Sequence, residues 1–504
     1  MIDEATALAE LRAKLGDRVW RLNNLYKIKD KEGNVVPFVL NRAQRKLMKR
    51  LHHRNLILKA RQMGFSTFVQ LFMLDACLFN SNLSAGVVAH NREAAEDIFK
   101  NKIKFAFEKL PAALQEELAP TEDSVRTMTF ANGSSITVGT SLRSGTFQMV
   151  HISEYGKIAA ATPMKAEEIK TGTFETVPRS GLLVVESTAE GNSGAFYDLV
   201  VEARKLQDAG KELDPLQFRF HFFPWWEQRE YVADPAHAVI YPSLQQYFRD
   251  LELKHGIKLT DEQKAWYALK ESSLGRDMMH REYPSHPDEA FQATIQGAYY
   301  TEQFRYLREN GRITKVPHNP SLPVITAWDL GVSDDTAIWF LQVVGLEVRV
   351  IDFYVNSGYG LEHYAQHIRK LSEERKYSYS RHLAPHDIAA RGRWIAKTGL
   401  EIAAENGIHF EVVEAVVKNS TLHAIEPVRR FLTHCWFDEE RCAEGIRALE
   451  NYRRAWDERL GCFKDEPIHD WASHPAKAFE VAARANLFGA VSGQARPVVT
   501  RQIA

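Results

Sequence analysis

Two α/β domains in tandem are what this sequence predicts, on three observations. A buried strand runs into a glycine-bearing turn and a helix near residue 60. Strands then alternate with helical stretches to about residue 190. A second strand ending in an acid opens a hairpin near residue 324. Alternation of this kind gives a mainly parallel sheet, whose ligands gather at the C-terminal ends of its strands.

A chain of 504 residues has room for about two to four domains. Its 45% hydrophobic and 26% charged residues are the balance of a globular protein rather than a disordered one. No apolar run approaches the length of a membrane span, and residues 1–18 are charged throughout, without the apolar core of a signal peptide. Four cysteines, Cys77, Cys435, Cys442 and Cys462, are too few for a disulfide framework and lack the paired spacing of a zinc site. A cytoplasmic protein is expected. The net charge of −1 argues against a general coat of nucleic acid. It leaves room for a local basic track: Arg42, Arg45, Lys46, Lys49, Arg50 and Arg54, then Lys100, Lys102 and Lys104.

In the first half, Leu56-Ile57-Leu58-Lys59-Ala60-Arg61-Gln62-Met63-Gly64-Phe65-Ser66-Thr67 reads as strand, loop and helix start, a deviant phosphate-binding (Walker A) loop. Gly64 holds the second glycine position and Ser66 the magnesium-binding hydroxyl. Phe65 stands where lysine is usual, so the positive charge must come from Lys59 or Arg61. The helix is expected over Thr67–Asn80, its first N–H groups free for phosphate. Upstream, Gln44 has an amide suited to an adenine edge.

Later strands are read at Ala85–Asn91, Ser134–Val138, Met149–Glu154 and from Leu182, the last followed by the small polar turn Ser187-Thr188-Ala189. Glu154, at the end of its strand, suits a general base that orients the attacking water. Arg143, in a glycine-containing stretch, is a candidate arginine finger. Ser187–Ala189 is a candidate sensor of the γ-phosphate.

The chain turns polar over 301–322, read as a linker between an ATPase domain at 1–300 and a second domain at 323–504. That domain opens with Val324–Gly331, then strands at Thr336–Val343 and Val348–Tyr354. A strand with Asp329 near its end, a hairpin and a third strand is how RNase H-like folds begin. Asp387 after a strand-like stretch and Asp470 before a C-terminal helix would complete three carboxylates. Such a set holds two Mg²⁺ or Mn²⁺ about 3.5–4 Å apart across a phosphodiester. Asp334, Asp335 and His474 stand near enough to assist.

These motifs resemble the large terminase subunit of tailed bacteriophages over nearly the whole chain. The resemblance rests on Gln44, Arg61-Gln62-Met63-Gly64-Phe65-Ser66-Thr67, Glu154, Ser187-Thr188-Ala189, Trp328-Asp329-Leu330-Gly331, Asp387 and His469–His474. Pro224-Trp225-Trp226 and Pro284–Phe291 look like the stretch between that family's two halves. It implies an ATPase that drives double-stranded DNA into a procapsid and an endonuclease that cuts concatemers. Implied with these are ATP with Mg²⁺, a portal protein, a small terminase subunit, a homo-oligomeric ring in which Arg143 reaches a neighbour's nucleotide, and the host cytoplasm. Two departures stand out: Ser153 replaces the usual acid before Glu154, and Lys477 stands where many relatives carry an acid. The competing readings are a cellular helicase or restriction-type translocase with a nuclease domain, and a non-catalytic assembly scaffold.

Overall fold

The computed structural model describes residues 4–291, 297–331, 335–389, 398–414, 421–457, 462–485 and 487–488. The chain divides into two compact units, Met1–Ala293 and Thr294–Ala504.

The first unit is built on an eight-stranded sheet. In chain order its strands are β1 (Arg54–Lys59), β2 (Ser84–Val88), β3 (Pro120–Asp123), β4 (Thr127–Phe130), β5 (Ser135–Gly139), β6 (Met149–Ser153), β7 (Leu182–Ser187) and β8 (Phe218–Phe223). Their order across the sheet is β8-β1-β7-β6-β2-β5-β4-β3. Neighbours from β8 to β5 run parallel, while β4 and β3 extend the sheet antiparallel. Every residue of β1 is buried, as a strand covered on both faces must be.

Side chains alternate between the faces of a strand, and the two cores follow that rule. Ile57, Val184 and Val87 join one core with the helix Phe65–Phe79; Leu56, Leu58, Val150, Ile152, Leu183 and Val185 join the other. The same parity turns Lys59, His151, Ser153 and Glu186 toward that helix. Apolar on all sides, it is buried along nearly its whole length. Its one buried acid, Asp75, is held by Arg21 at 2.7 Å and the Tyr26 hydroxyl at 3.0 Å.

The second unit carries β9 (Ile313–Thr314), β10 (Val324–Asp329), β11 (Asp335–Val344), β12 (Glu347–Ser357), β13 (Tyr379–Pro385), β14 (Phe410–Val413) and β15 (Cys435–Asp438), in the order β9-β15-β12-β11-β10-β13-β14. β10, β11 and β12 form an antiparallel meander, and β13 and β14 continue parallel to β10. The meander is the RNase H-like opening expected from the Asp329 strand and its hairpin. Alternate residues again serve two cores, with Trp339 on one face and Trp328 on the other.

The stretch 301–322 is not a linker. Thr301–Glu309 is helical and Ile313–Thr314 is the sheet's edge strand β9, with Phe304 and Leu307 buried in the second unit's core. The polar residues of its first part are the exposed side of an amphipathic helix, and those after Glu309 lie in the turns on either side of β9. No helix among the described residues is long and apolar enough to cross a membrane. Cys77, Cys435 and Cys442 are buried free thiols.

Candidate functional site

Helices needed to place the sites are α1 (Arg42–Lys49), α2 (Phe65–Phe79), α3 (Tyr155–Ala161) and α4 (Ser473–Arg484).

Between β1 and α2 the backbone turns left-handed twice, at Gln62 (φ 57°) and Gly64 (φ 74°). Gly64 lacks a side-chain cap, so the first N–H groups of α2 are not claimed by one. The turn is held from behind by α1: Gln44 Nε2 donates to the Gly64 carbonyl at 2.9 Å, and Asn41 Nδ2 to that of Met63 at 3.2 Å. Gln44 also closes the capping box of α1 with Asn41. Its amide therefore shapes the loop itself. Phe65, where lysine is usual, is buried against the Phe223 ring at 4.3 Å.

Beneath this loop lies a buried charge cluster. Lys59 Nζ stands 3.1 Å from Glu154 Oε1 and 3.2 Å from Glu186 Oε2. Ser66 Oγ donates to Glu186 Oε1 at 2.5 Å and Ser153 Oγ to the same oxygen at 3.2 Å. His151 Nε2 lies 3.4 Å away. Burial alone would lower the Lys59 ammonium, but Glu186 and then Glu154 outweigh it and hold the amine above its ordinary value. Burial would raise Glu186, yet Lys59, then His151 and Ser66, hold its carboxyl well below the usual range. Glu154 occupies a left-handed backbone position (φ 56°) at the start of α3. That conformation is costly for a residue with a side chain and clusters at functional sites. The oxygen donors Ser66, Glu154 and Glu186 are of the hard type that suits Mg²⁺.

Of the residues foreseen, Lys59, Ser66 and Glu154 meet here. Arg61 does not: it is exposed and reaches Glu282 at 3.3 Å, so the cluster's cation is Lys59. Thr67 lies in the first turn of α2, half-buried. Ser187 Oγ accepts from the Gly156 N–H at 3.0 Å, tying the end of β7 to the start of α3, with Thr188 and Ala189 buried beside it. Glu190, just beyond, pairs with Arg281 at 3.2 Å; Arg281 pairs with Glu282, and Glu282 with Arg61. This chain of charges joins the turn after β7 to the phosphate loop. Arg143 is exposed and bonds to Glu168 at 2.8 Å within its own chain.

Sequence reasoning missed Glu186 as a site residue and read Lys102 only as part of the basic track. Lys102 lies on the π-helical turn Phe99–Lys104; burial lowers its ammonium, and Glu186, Asp97 and Glu154 oppose that. Of the track itself, Arg42, Arg45, Lys49 and Arg50 are exposed, but Arg54 is buried and donates to backbone carbonyls of 174 and 177.

In the second unit Asp329 ends β10, and its Oδ2 lies 2.7 Å from His474 Nδ1 on the first turn of α4. Asp470 accepts from the Ala472 N–H through Oδ1 and faces Arg453 at 3.3 Å through Oδ2. Burial raises its carboxyl, with Arg453 opposing. Asp387 sits on an exposed turn after β13, and Asp335 opens β11 half-buried. Asp334 lies outside the described residues. The expected triad of Asp329, Asp387 and Asp470 is not drawn together: among the described residues no group of three or more His, Cys, Asp or Glu side chains is placed to hold a metal ion. The reason is local. Asp470 serves as a turn cap paired with Arg453, and Asp387 lies on a surface turn. The residue not foreseen is Glu480 on α4. Its carboxyl is raised by burial against Arg484 and Lys477, and Asp329 raises it further.

No family model matches the chain, and no curated protein matches it. Solved structures similar to it are phage large terminases. The large terminase of one thermophilic bacteriophage is 13% identical with a TM-score of 0.30, over 87% of this chain and 95% of that one. The large terminase nuclease of thermophilic phage G20c with bound magnesium is 12% identical, with a TM-score of 0.28 over 37% of this chain and 97% of that one. The nuclease domain from bacteriophage SPP1 with bound Mn is 20% identical, with a TM-score of 0.24 over 32% and 84%. The fold assignment rests on the strand orders above, not on these likenesses.

Proposed function

We propose that this protein is a viral DNA-packaging motor subunit, an ATPase that translocates double-stranded DNA and a metal-dependent endonuclease that cuts it. The observation that carries this reading is the cluster of Lys59, Ser66, Glu154 and Glu186 at the C-terminal ends of β1, β6 and β7, under an uncapped helix start. It pairs a phosphate-facing turn with a carboxylate near enough to act as base. A second unit of different strand order, with Asp329 at the end of its first long strand, supports the nuclease half.

In this reading the N–H groups of the Gly64 turn bind phosphate oxygens and Ser66 and Glu186 face the magnesium side. Magnesium, when bound, neutralises the β- and γ-phosphate charge. Glu154 takes the proton of the attacking water. Lys59, already between Glu154 and Glu186, is the nearest cation for the terminal phosphate. Ser187, bonded to the first turn of α3, and the Glu190–Arg281–Glu282–Arg61 chain would carry the change to the DNA-gripping surface. Arg143 would leave Glu168 to reach a neighbouring subunit's nucleotide. In the nuclease half Asp329, at the end of β10 beside His474, is the acid offered to a divalent Mg²⁺ or Mn²⁺ that would polarise the phosphodiester; Asp470, paired with Arg453, and Asp387, on a surface turn, are not placed to join it in this structure. Portal protein, small terminase subunit and a homo-oligomeric ring in the host cytoplasm complete the proposal.

The test is ATP hydrolysis with and without linear duplex DNA, beside a strand-displacement assay. DNA-stimulated hydrolysis without unwinding is the expected result. Unwinding would favour a helicase, and no hydrolysis under any condition would favour a scaffold.

A further inference from the structure

In phosphate-loop enzymes the loop Ser or Thr and an aspartate on the acid-bearing strand share the work of holding magnesium. Here that strand, β6, offers only Ser153 before Glu154. We propose that Glu186, on the neighbouring strand β7, is the positioning residue that replaces the missing acid and holds the magnesium shell through Ser66. This rests on the nucleotide-hydrolysing reading above.

Register makes the substitution possible. Ser153 and Glu186 are Cα partners across β6 and β7, and Ile57 and Glu186 are partners across β1 and β7. Partners in parallel strands present their side chains to the same face, about 4.8 Å apart. Moving the acid from β6 to β7 therefore keeps it on the face covered by α2 but shifts it one strand toward the phosphate loop. Both serines respond to the shift. Ser66 and Ser153 donate to one oxygen, Oε1, at 2.5 and 3.2 Å. A hydroxyl that gives its proton to a carboxylate turns its lone pairs outward, as a cation ligand must. The other oxygen, Oε2, faces Lys59, which in turn faces Glu154. Glu186 thus links the magnesium-binding hydroxyl, the cluster's cation and, through that cation, the general base.

Its environment is that of a built site. The side chain is fully buried, and an ionised carboxylate so placed is costly unless it is paired and hydrogen-bonded. A strand end serving only the core would hold an apolar residue there.

The competing explanation is that Glu186 only neutralises Lys59. Binding of a fluorescent ATP analogue to the full chain, titrated with free Mg²⁺, separates the two, with Mn²⁺ electron paramagnetic resonance as a second reading of metal affinity. In Glu186→Gln metal affinity should weaken, and the Mg²⁺ needed rise, by about 10- to 100-fold, the usual effect of losing an outer-shell partner, while metal-free binding of the analogue persists. Glu186→Asp keeps the charge and withdraws the carboxylate by one methylene, and it should weaken metal binding in the same direction. Adding Ser153→Asp to Glu186→Gln returns an acid to β6 and should recover most of the loss. An unchanged Mg²⁺ requirement in both Glu186 variants overturns the proposal, as does a double variant no better than Glu186→Gln. If the wild-type chain binds no nucleotide at any Mg²⁺ concentration, the nucleotide-hydrolysing reading itself fails. Thermal unfolding of each variant checks that a folded protein was measured.

Discussion

The two candidate centres are built to opposite plans. In the first unit a lysine stands between two carboxylates, with serine hydroxyls and a histidine packed around the buried one. The polar groups already converge on the Glu186 carboxylate. In the second unit the acids stand apart: Asp329 on His474, Asp470 on Arg453 and its own turn, Asp387 on the surface. Like-charged carboxylates resist close approach unless a cation lies among them. The first unit supplies that cation from its own chain, as Lys59. In the second, the cationic side chains Arg453 and Arg484 each hold a single acid. A site carrying its own counter-charge can hold its acids together without a ligand, whereas acids lacking one sit on separate partners.

This contrast can be broken most sharply at Glu154. Glu154→Gln should lower ATP turnover by about 10²- to 10⁴-fold, the usual weight of a general base, with nucleotide affinity retained in a direct binding titration. Asp329→Ala is the counterpart in the other unit: Mn²⁺-dependent plasmid cleavage should be lost and ATP turnover unaffected. Cleavage at the wild-type rate would remove Asp329 from the centre.

A smaller effect is expected from the scaffold of the first site. Gly64 has φ +74°, and a Cβ there would meet Gln44 Nε2 at 2.9 Å. Gly64→Ala should cost about 1–2 kcal/mol from the left-handed backbone alone, seen as a lower unfolding midpoint, with weaker nucleotide binding.

The mildest prediction concerns pH. Glu289 is buried, and burial pushes its carboxyl up to about 8 against hydrogen bonds from Tyr247 and the Ser285 N–H. Its folded value lies above the unfolded one near 4.5. The stability it contributes is therefore complete below that pH and is lost as pH rises toward 8. Glu289→Gln should flatten the fall in unfolding midpoint between about pH 5 and 8; an identical slope in both proteins would contradict the assignment.

Much of this architecture is legible in the sequence. The apolar run at Leu56–Leu58, the valine-rich strands ending at Ser153 and Ser187, and the Asp329 strand with its hairpin lie where periodicity places them. Edges are less legible. Phe218–Phe223 is a parallel edge strand that the sequence reading does not place, although its run of rings is a strand composition. The 301–322 stretch reads as a linker because amphipathic helices look polar when only one face is buried. At the first site, Lys59, Ser66 and Glu154 are recognisable from spacing, but Glu186 is not, since its strand draws notice only for the turn beyond it. Its signal is parity: alternation from Leu183 and Val185 puts Val184 and Glu186 on the helix-covered face. At the second site, which partner each acid takes depends on residues outside its own motif, Arg453 for Asp470 and His474 for Asp329, and local pattern says nothing of that.

The most direct test of the account is a double dissociation in one preparation series. ATP turnover and Mn²⁺-dependent DNA cleavage would be measured side by side for wild type, Glu154→Gln and Asp329→Ala. The account predicts that wild type does both, that Glu154→Gln cuts without hydrolysing ATP, and that Asp329→Ala hydrolyses ATP without cutting. Loss of both activities together in either variant, or retention of both, would contradict two separate catalytic centres at these residues.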